Sequence, residues 1–214
     1  MRLEDLFCNH AQPQTKIRRD QLVTEVNDAY FGHLNAESDK YRCDPEALDK
    51  VLGGASHFNA IAESCYDYAV EGQLKTTGVG PQDDNWLDFA SFINQARWDD
   101  EFHSANSLAP SLEHLFKLGA IRARLDSDTL GDVAIDALPT VLKHSECGYL
   151  TLNEVAFLAQ ITEKAVRNAT QPTAPDRLHT RKEGTRTVVD SHEALRWLKG
   201  RRHFKPTVLV LSCS

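Results

Sequence analysis

Two helix-start signals, Thr151 and Thr162, stand eleven residues apart and constrain this chain more than anything else in it. They lie in the run Tyr149-Leu150-Thr151-Leu152-Asn153-Glu154-Val155-Ala156-Phe157-Leu158-Ala159-Gln160-Ile161-Thr162-Glu163-Lys164-Ala165-Val166-Arg167-Asn168-Ala169. Thr151 with Glu154 three residues later is a capping box, in which each side chain takes a backbone N–H that the helix leaves orphaned. A helix is therefore predicted to start at Leu152. Thr162, just before Glu163-Lys164-Ala165-Val166, is a second N-cap, with an acid in the first turn where the helix dipole favours it. Only Gln160 and Ile161 remain between the two helices, and so short a link forces a sharp crossing. Val155, Ala156, Ala159, Ile161, Val166 and Ala169 stand where the helices must touch, and the two small alanines allow close approach. Ala165, Val166 and Ala169 are the expected inner stripe of the second helix. Lys164, Arg167 and Asn168 then share its outer face at spacings of three and four.

Downstream, Arg177 to Arg181 and Thr185 to Val189 are β-prone runs around Lys182-Glu183-Gly184, which reads as a hairpin. Asp190 with Glu193 makes a further capping-box pattern, opening a helix from Ser191 to Lys199 that Gly200 ends. The predicted order is helix, turn, helix, hairpin, helix.

This order and these residues resemble the winged helix-turn-helix domains of excisionases and of the mercury-resistance-regulator (MerR) class. The resemblance covers residues 149–204. It implies double-stranded DNA as partner, with the second helix in the major groove and the hairpin, the wing, on backbone or minor groove. Carried over, Lys164, Arg167 and Asn168 are the base-reading candidates, Thr162 stands at the start of the reading helix, and Arg181, Lys182 and Arg186 are the wing contacts. Two departures stand out. The turn usually holds Gly where this chain has Gln160, so a left-handed backbone there carries mild strain. The segment Thr170 to Asp176, with Pro172 and Pro175, is also longer than the usual link to the wing.

Charge follows the same division. From Tyr149 onward there are 11 Lys+Arg against 6 Asp+Glu, a net of +5, whereas the first 148 residues hold 13 against 25, a net of −12. An acidic chain with a basic last quarter is the electrostatic footprint of a nucleic-acid domain joined to something else. A pI of about 5.7 for the whole chain hides it. The expected organisation is mainly α, with an acidic all-helical domain over 1–147 and a basic winged helix-turn-helix over 148–214. Ser145-Glu146-Cys147-Gly148 is the expected boundary. The N-terminal part is expected to dimerise, since such readers bind paired half-sites, or to bind an effector or partner.

Within that part, Leu22, Val26, Ala29 and Tyr30 mark one helix. Asp44-Pro45-Glu46 starts another that Gly53-Gly54 ends. Phe58, Ile61, Ala62, Cys65, Tyr66 and Ala69 keep a helical period, as do Trp86, Phe89, Phe92, Ile93 and Ala96, and then Leu112, Leu115 and Phe116. Leu130, Val133, Ala134, Ala137, Leu138, Val141 and Leu142 continue the pattern, although Pro139 should split it. Gln73 to Asn85 reads as a long loop. Thr207-Val208-Leu209-Val210-Leu211 is a β-prone tail that could pair with the wing sheet, extend across a dimer or hang loose. The aromatics Phe58, Tyr66, Tyr68, Trp86, Phe89, Phe92 and Trp98 read as core packing before they read as a ligand pocket.

Enzymatic readings fail on spacing. Cys8-Asn9-His10 and His144-Ser145-Glu146-Cys147 lack paired zinc-ligand spacing, and Asp99-Asp100-Glu101 with His103 reads as a solvated helix face. No Glu is followed by His three residues later, and no phosphate-binding glycine loop or His-Glu-x-x-His occurs. Asn168-Ala169-Thr170 matches the glycosylation pattern, which is irrelevant in a cytoplasmic protein. Five scattered cysteines form no disulfide framework, and no run approaches 18 apolar residues. The expectation is a cytoplasmic, bacterial or mobile-element DNA-binding protein. It needs no metal or cofactor, is not an enzyme, engages no membrane and regulates transcription. The alternatives are an antitoxin-like protein adaptor, in which the helical corner recognises protein, and an excisionase-like recombination accessory protein.

Overall fold

The computed structural model describes residues 11–76, 83–103, 109–131, 137–139, 141–142 and 148–211. The described residues are mainly helical, with a few short strands in two small sheets. Helix α1 (Arg19–Tyr41) leads into α2 (Pro45–Leu52) and α3 (Ser56–Ala69), followed by strand β1 (Gln73–Thr76) and helices α4 (Asp83–His103) and α5 (Pro110–Thr129). Then come β2 (Tyr149–Thr151), α6 (Leu152–Ala159), α7 (Glu163–Ala169), β3 (Arg181–Glu183), β4 (Arg186–Asp190), α8 (Ser191–Leu198) and β5 (Val208–Leu211).

The helical periods read from the sequence are the faces that pack. Leu22, Val26, Ala29 and Tyr30 of α1 are buried, as are Ile61, Ala62, Cys65, Tyr66 and Ala69 of α3. Asp44 caps α2 by accepting from Ala47 N, Pro45 takes the first turn, and Gly53 closes the helix at φ 83. At the centre lies α5, with 15 of its 20 residues buried. A helix covered on all sides must satisfy its own polar groups. The capless start at Ala109 is therefore closed from afar: Glu25 Oε2 accepts from Ser111 N (2.8 Å) and Leu112 N (3.2 Å). Close approach is bought with Gly119, where a Cβ would stand 2.3 Å from the Trp86 ring. That ring meets Tyr68, Phe89 and Phe116 edge-on.

One hydrophobic core runs from Ile17 through α5 to Phe204. The C-terminal elements rest on α5. His114 meets the Phe157 ring edge-on at 5.3 Å, Arg124 pairs with Glu154, and Ser191 Oγ donates to Asp128. Burial, with Lys117 nearby, lowers the pKa of His114 from its ordinary value to about 4.

Two expectations are corrected. The tail after Pro206 takes none of the three foreseen courses: β5 pairs in parallel with β1, Gln73 opposite Val208 through Thr76 opposite Leu211. Gln73–Thr76 is thus a strand instead of the start of a loop. Its entry is fixed by Arg122, whose Nε donates to Ala69 O (3.0 Å) and whose Nη1 donates to Lys205 O (2.8 Å) and Thr207 Oγ1 (3.0 Å). Tyr68 and Thr207 both donate to Asp126 beside it. Beyond them, α5 stops at Thr129 and Leu130 turns extended, while at Pro139, the expected break in the 130–142 period, Leu142 N bonds Pro139 O in a turn. Val133 and Ala134 lie outside the described residues, as do Cys8-Asn9-His10, 144–147 and, within the Gln73–Asn85 segment, 77–82.

Among the described residues no helix is long and apolar enough to cross a membrane, and no three His, Cys, Asp or Glu converge as for a metal ion. The Asp99–His103 run is only partly solvated: Glu101 and His103 are exposed, but Asp99 is 1% exposed and bonded to His33 and Gln95.

Candidate nucleic-acid interface

Helix α7 is seven residues long, and Val166 is its one buried residue. Burial cannot hold so short a helix, because nucleating a turn costs more than the turn returns. Its ends do. Thr162 Oγ1 accepts from Ala165 N at 3.2 Å, and Thr170 Oγ1 donates to Arg167 O at 2.8 Å. The preceding helix, α6, has both halves of the expected capping box, Thr151 Oγ1 to Glu154 N and Glu154 Oε2 to Thr151 N. Between them Gln160 is left-handed (φ 53), with Gln160 N bonded to Phe157 O and Ile161 N to Ala156 O. These are the reverse bonds of a Schellman closure, made here without the glycine that usually makes it cheap.

Thr162, Lys164, Arg167 and Asn168 are all exposed. So is Ala165, which the sequence placed on the inner stripe; α7 touches the body along so narrow a line that Val166 fills it, with Ala169 half-buried. Glu163 ties α7 to α6, its Oε2 accepting from Asn153 Nδ2 (3.2 Å) and its Oε1 from Arg167 Nη2 (2.6 Å).

The three-stranded sheet runs β2-β4-β3, antiparallel throughout. Gly184 (φ 59) and Thr185 form a two-residue turn, with glycine where the backbone turns left-handed. The first arm is shorter than expected, because residues 177–180 are irregular and β3 begins at Arg181. Arg181, Lys182 and Arg186 are exposed but do not share a face. The register sets Arg181 against Val188 and Glu183 against Arg186, so these two arginines lie on one side of the ribbon. Lys182 is opposite Thr187 on the other side and donates to its Oγ1 at 3.0 Å. Arg181 also stands over the Tyr149 ring at 5.7 Å.

Helix and hairpin come together at a surface groove of about 280 Å³, lined by Thr151, Leu152, Asn153, Glu163, Arg167, Arg186 and Thr187. The structure thus joins Arg167 and Arg186, taken from the two halves of the predicted site, and adds Asn153, which the sequence reading passed over. Asn153 sits two residues after the Thr151 cap, a position that sequence alone gives no reason to prefer.

The basic surplus is not evenly available. Arg196 donates to Glu193, to Asp176 Oδ1 (2.9 Å) and to Arg177 O (2.9 Å), while Arg201 pairs with Asp176 and covers Trp197. Arg196 beside it pulls the Glu193 carboxyl to about 2, and the same pairing raises the Arg196 guanidinium. Glu193 therefore does not complete a capping box with Asp190. Asp190 caps α8 alone, accepting from His192 N, while Glu193 accepts from His179 N at 2.9 Å. Together with Leu178 N on Ala169 O and Trp197 Nε1 on Asp176 O, these bonds fix the long link between α7 and the hairpin. By contrast the side chains of Lys164, Asn168 and Arg186 carry no hydrogen bond or ion pair among the described residues. No family model, curated protein or solved structure matches the chain.

Proposed function

We propose that residues 148–204 act as a winged helix-turn-helix that binds double-stranded DNA sequence-specifically, and that the chain regulates transcription. In this reading α7 enters the major groove and the β3–β4 ribbon is the wing. The observation that carries it is α7 itself: a seven-residue helix, capped at both ends, that buries one residue and offers Lys164, Arg167 and Asn168 to solvent. An arginine matches guanine bidentately and an asparagine matches adenine, each worth roughly 1–3 kcal/mol of discrimination. Arg167 exchanges Glu163 for a base on binding, while Arg186 and Arg181 meet phosphates. The N-terminal helices supply self-association, so that two readers address paired half-sites. The exposed Trp98–Phe102 pair on α4, 52% and 57% accessible, supports them in that role.

The test begins by selecting bound fragments from genomic DNA and titrating the selected duplex against a scrambled one at several salt concentrations. Arg167→Ala and Asn168→Ala should each weaken specific binding by about one to two decades and leave non-specific binding nearly intact. Arg186→Ala should lower affinity for both duplexes and flatten the salt slope by about one unit. If all three variants fold and bind like the parent, the corner is not a DNA reader.

A further inference from the structure

Away from this surface, the N-terminal helices line an open cavity of about 550 Å³ between α1, α3, α4 and the end of α2. That volume is within the range that holds a drug-sized molecule. Its inner wall is apolar: Ala29 and Ala96 are buried, and Phe58 stacks on Phe92 with ring centroids 4.3 Å apart. Tyr30 adds only its ring, because its hydroxyl is spent on Asp49 at 2.6 Å.

Two polar groups of this wall, His33 and Gln95, are anchored on one buried carboxylate. His33 lines the cavity, and its Nδ1 lies 2.9 Å from Asp99 Oδ2. Asp99 is 1% exposed, and its other oxygen takes Gln95 Nε2 at 3.0 Å. A carboxylate can only accept, so Nδ1 carries a hydrogen, and in the neutral ring Nε2 is the acceptor for whatever enters. Burying a carboxylate is costly unless it is bonded; here the bonds hold one imidazole in a fixed orientation and tautomer at this wall. A second carboxylate, Asp88, and His57 stand exposed among the lining residues. Asp88 at the opening, with Asp99 buried behind His33, disfavours an anionic guest.

We propose that this cavity binds an uncharged planar aromatic molecule with a hydroxyl donor, a phenol, with its rings against Phe58 and Phe92 and its hydroxyl donating to His33 Nε2. The site does not depend on the DNA-binding reading, and its test involves no DNA.

Calorimetric titration of the full chain with 2-naphthol, 2-methoxynaphthalene and 2-naphthoate tests it. The three share a ring system and differ in the group offered to His33. 2-Naphthol should bind at one site with a Kd of about 100 µM or tighter. The methyl ether, which has no donor, and the carboxylate should each bind at least about tenfold more weakly. His33→Leu should remove the preference for the phenol and leave the methyl ether unchanged. If the leucine variant does not fold, His33→Lys keeps a donor for Asp99, offers no acceptor and carries the same comparison. Ala96→Phe should fill the cavity and abolish binding of both neutral compounds. Equal binding of phenol and ether, a preference that survives loss of His33, or no saturable binding of 2-naphthol would each overturn the proposal.

Discussion

Of the twenty residues of α5, fifteen are buried, and two arginines and an aspartate are among them; of the seven in α7, only Val166 is. In α5 the charges are struts. Arg122 reaches three groups on two other segments, and burial lowers its pKa and raises that of Asp126 in spite of the partners both have. In α7 the charges face water, and the helix is kept by its caps and its corner. A helix held from all sides can tolerate no change, whereas one held by its ends leaves a whole surface free for another molecule. That contrast separates the part of this chain that stands from the part that presents.

The largest effect is expected at Arg122. Arg122→Met leaves Ala69 O, Lys205 O and Thr207 Oγ1 without this donor and buried Asp126 without its neighbouring positive charge, which should cost about 3–5 kcal/mol in urea unfolding. Amide exchange should rise first in β1 and β5. A loss under about 1 kcal/mol would mean that the strut is decorative.

His114 comes next. Its folded pKa, about 4, lies below the ordinary 6.5, so the unfolded chain binds more protons between these values. Stability should be complete above pH 6.5 and fall as the pH drops toward 4, by up to about 3 kcal/mol, then level for this group. His114→Phe should flatten the pH 7 to 5 part of the curve, where the depressed carboxylates have yet to titrate. An unchanged slope in that variant would remove His114 as its source.

Gly119→Ala, driving a methyl into the Trp86 ring, should cost about 2 kcal/mol and lower the midpoint of thermal unfolding by roughly 4–8 °C. The smallest effect belongs to the other helix. Thr162→Ala should remove about 1 kcal/mol from α7 locally, seen as faster amide exchange in 163–169, while α5 keeps its protection. If the Thr162 variant loosened α5 as well, the two helices would not be independent and the contrast would fail.

What could be read beforehand followed the same line. Caps and turns are settled within four or five residues, so Thr151–Glu154, Thr162, Asp44–Pro45 and the left-handed Gln160 were legible. Helical periods gave α1, α3, α4 and α5. The candidate site was legible as a set of exposed cations on α7 and a hairpin. Hidden was everything that needs a distant partner: Glu25 closing α5, His33 against Asp99, Glu193 holding His179 instead of capping, Lys182 on the far side of its ribbon. The β-prone run of β5 was legible, but four-residue β1 has too little pattern to announce itself, and neither strand carries a signal of the other.

That last pairing has a consequence in time. Gln73 finds its partner in Val208, 135 residues further along the chain. At synthesis rates of about 5–20 residues per second, β1 emerges roughly 7–27 seconds before the strand that will cover it. For that interval an unpaired edge, with Leu74 not yet enclosed, is open to any other extended chain nearby. Until Val208–Leu211 is made, the backbone groups of β1 that face it have no strand to bond.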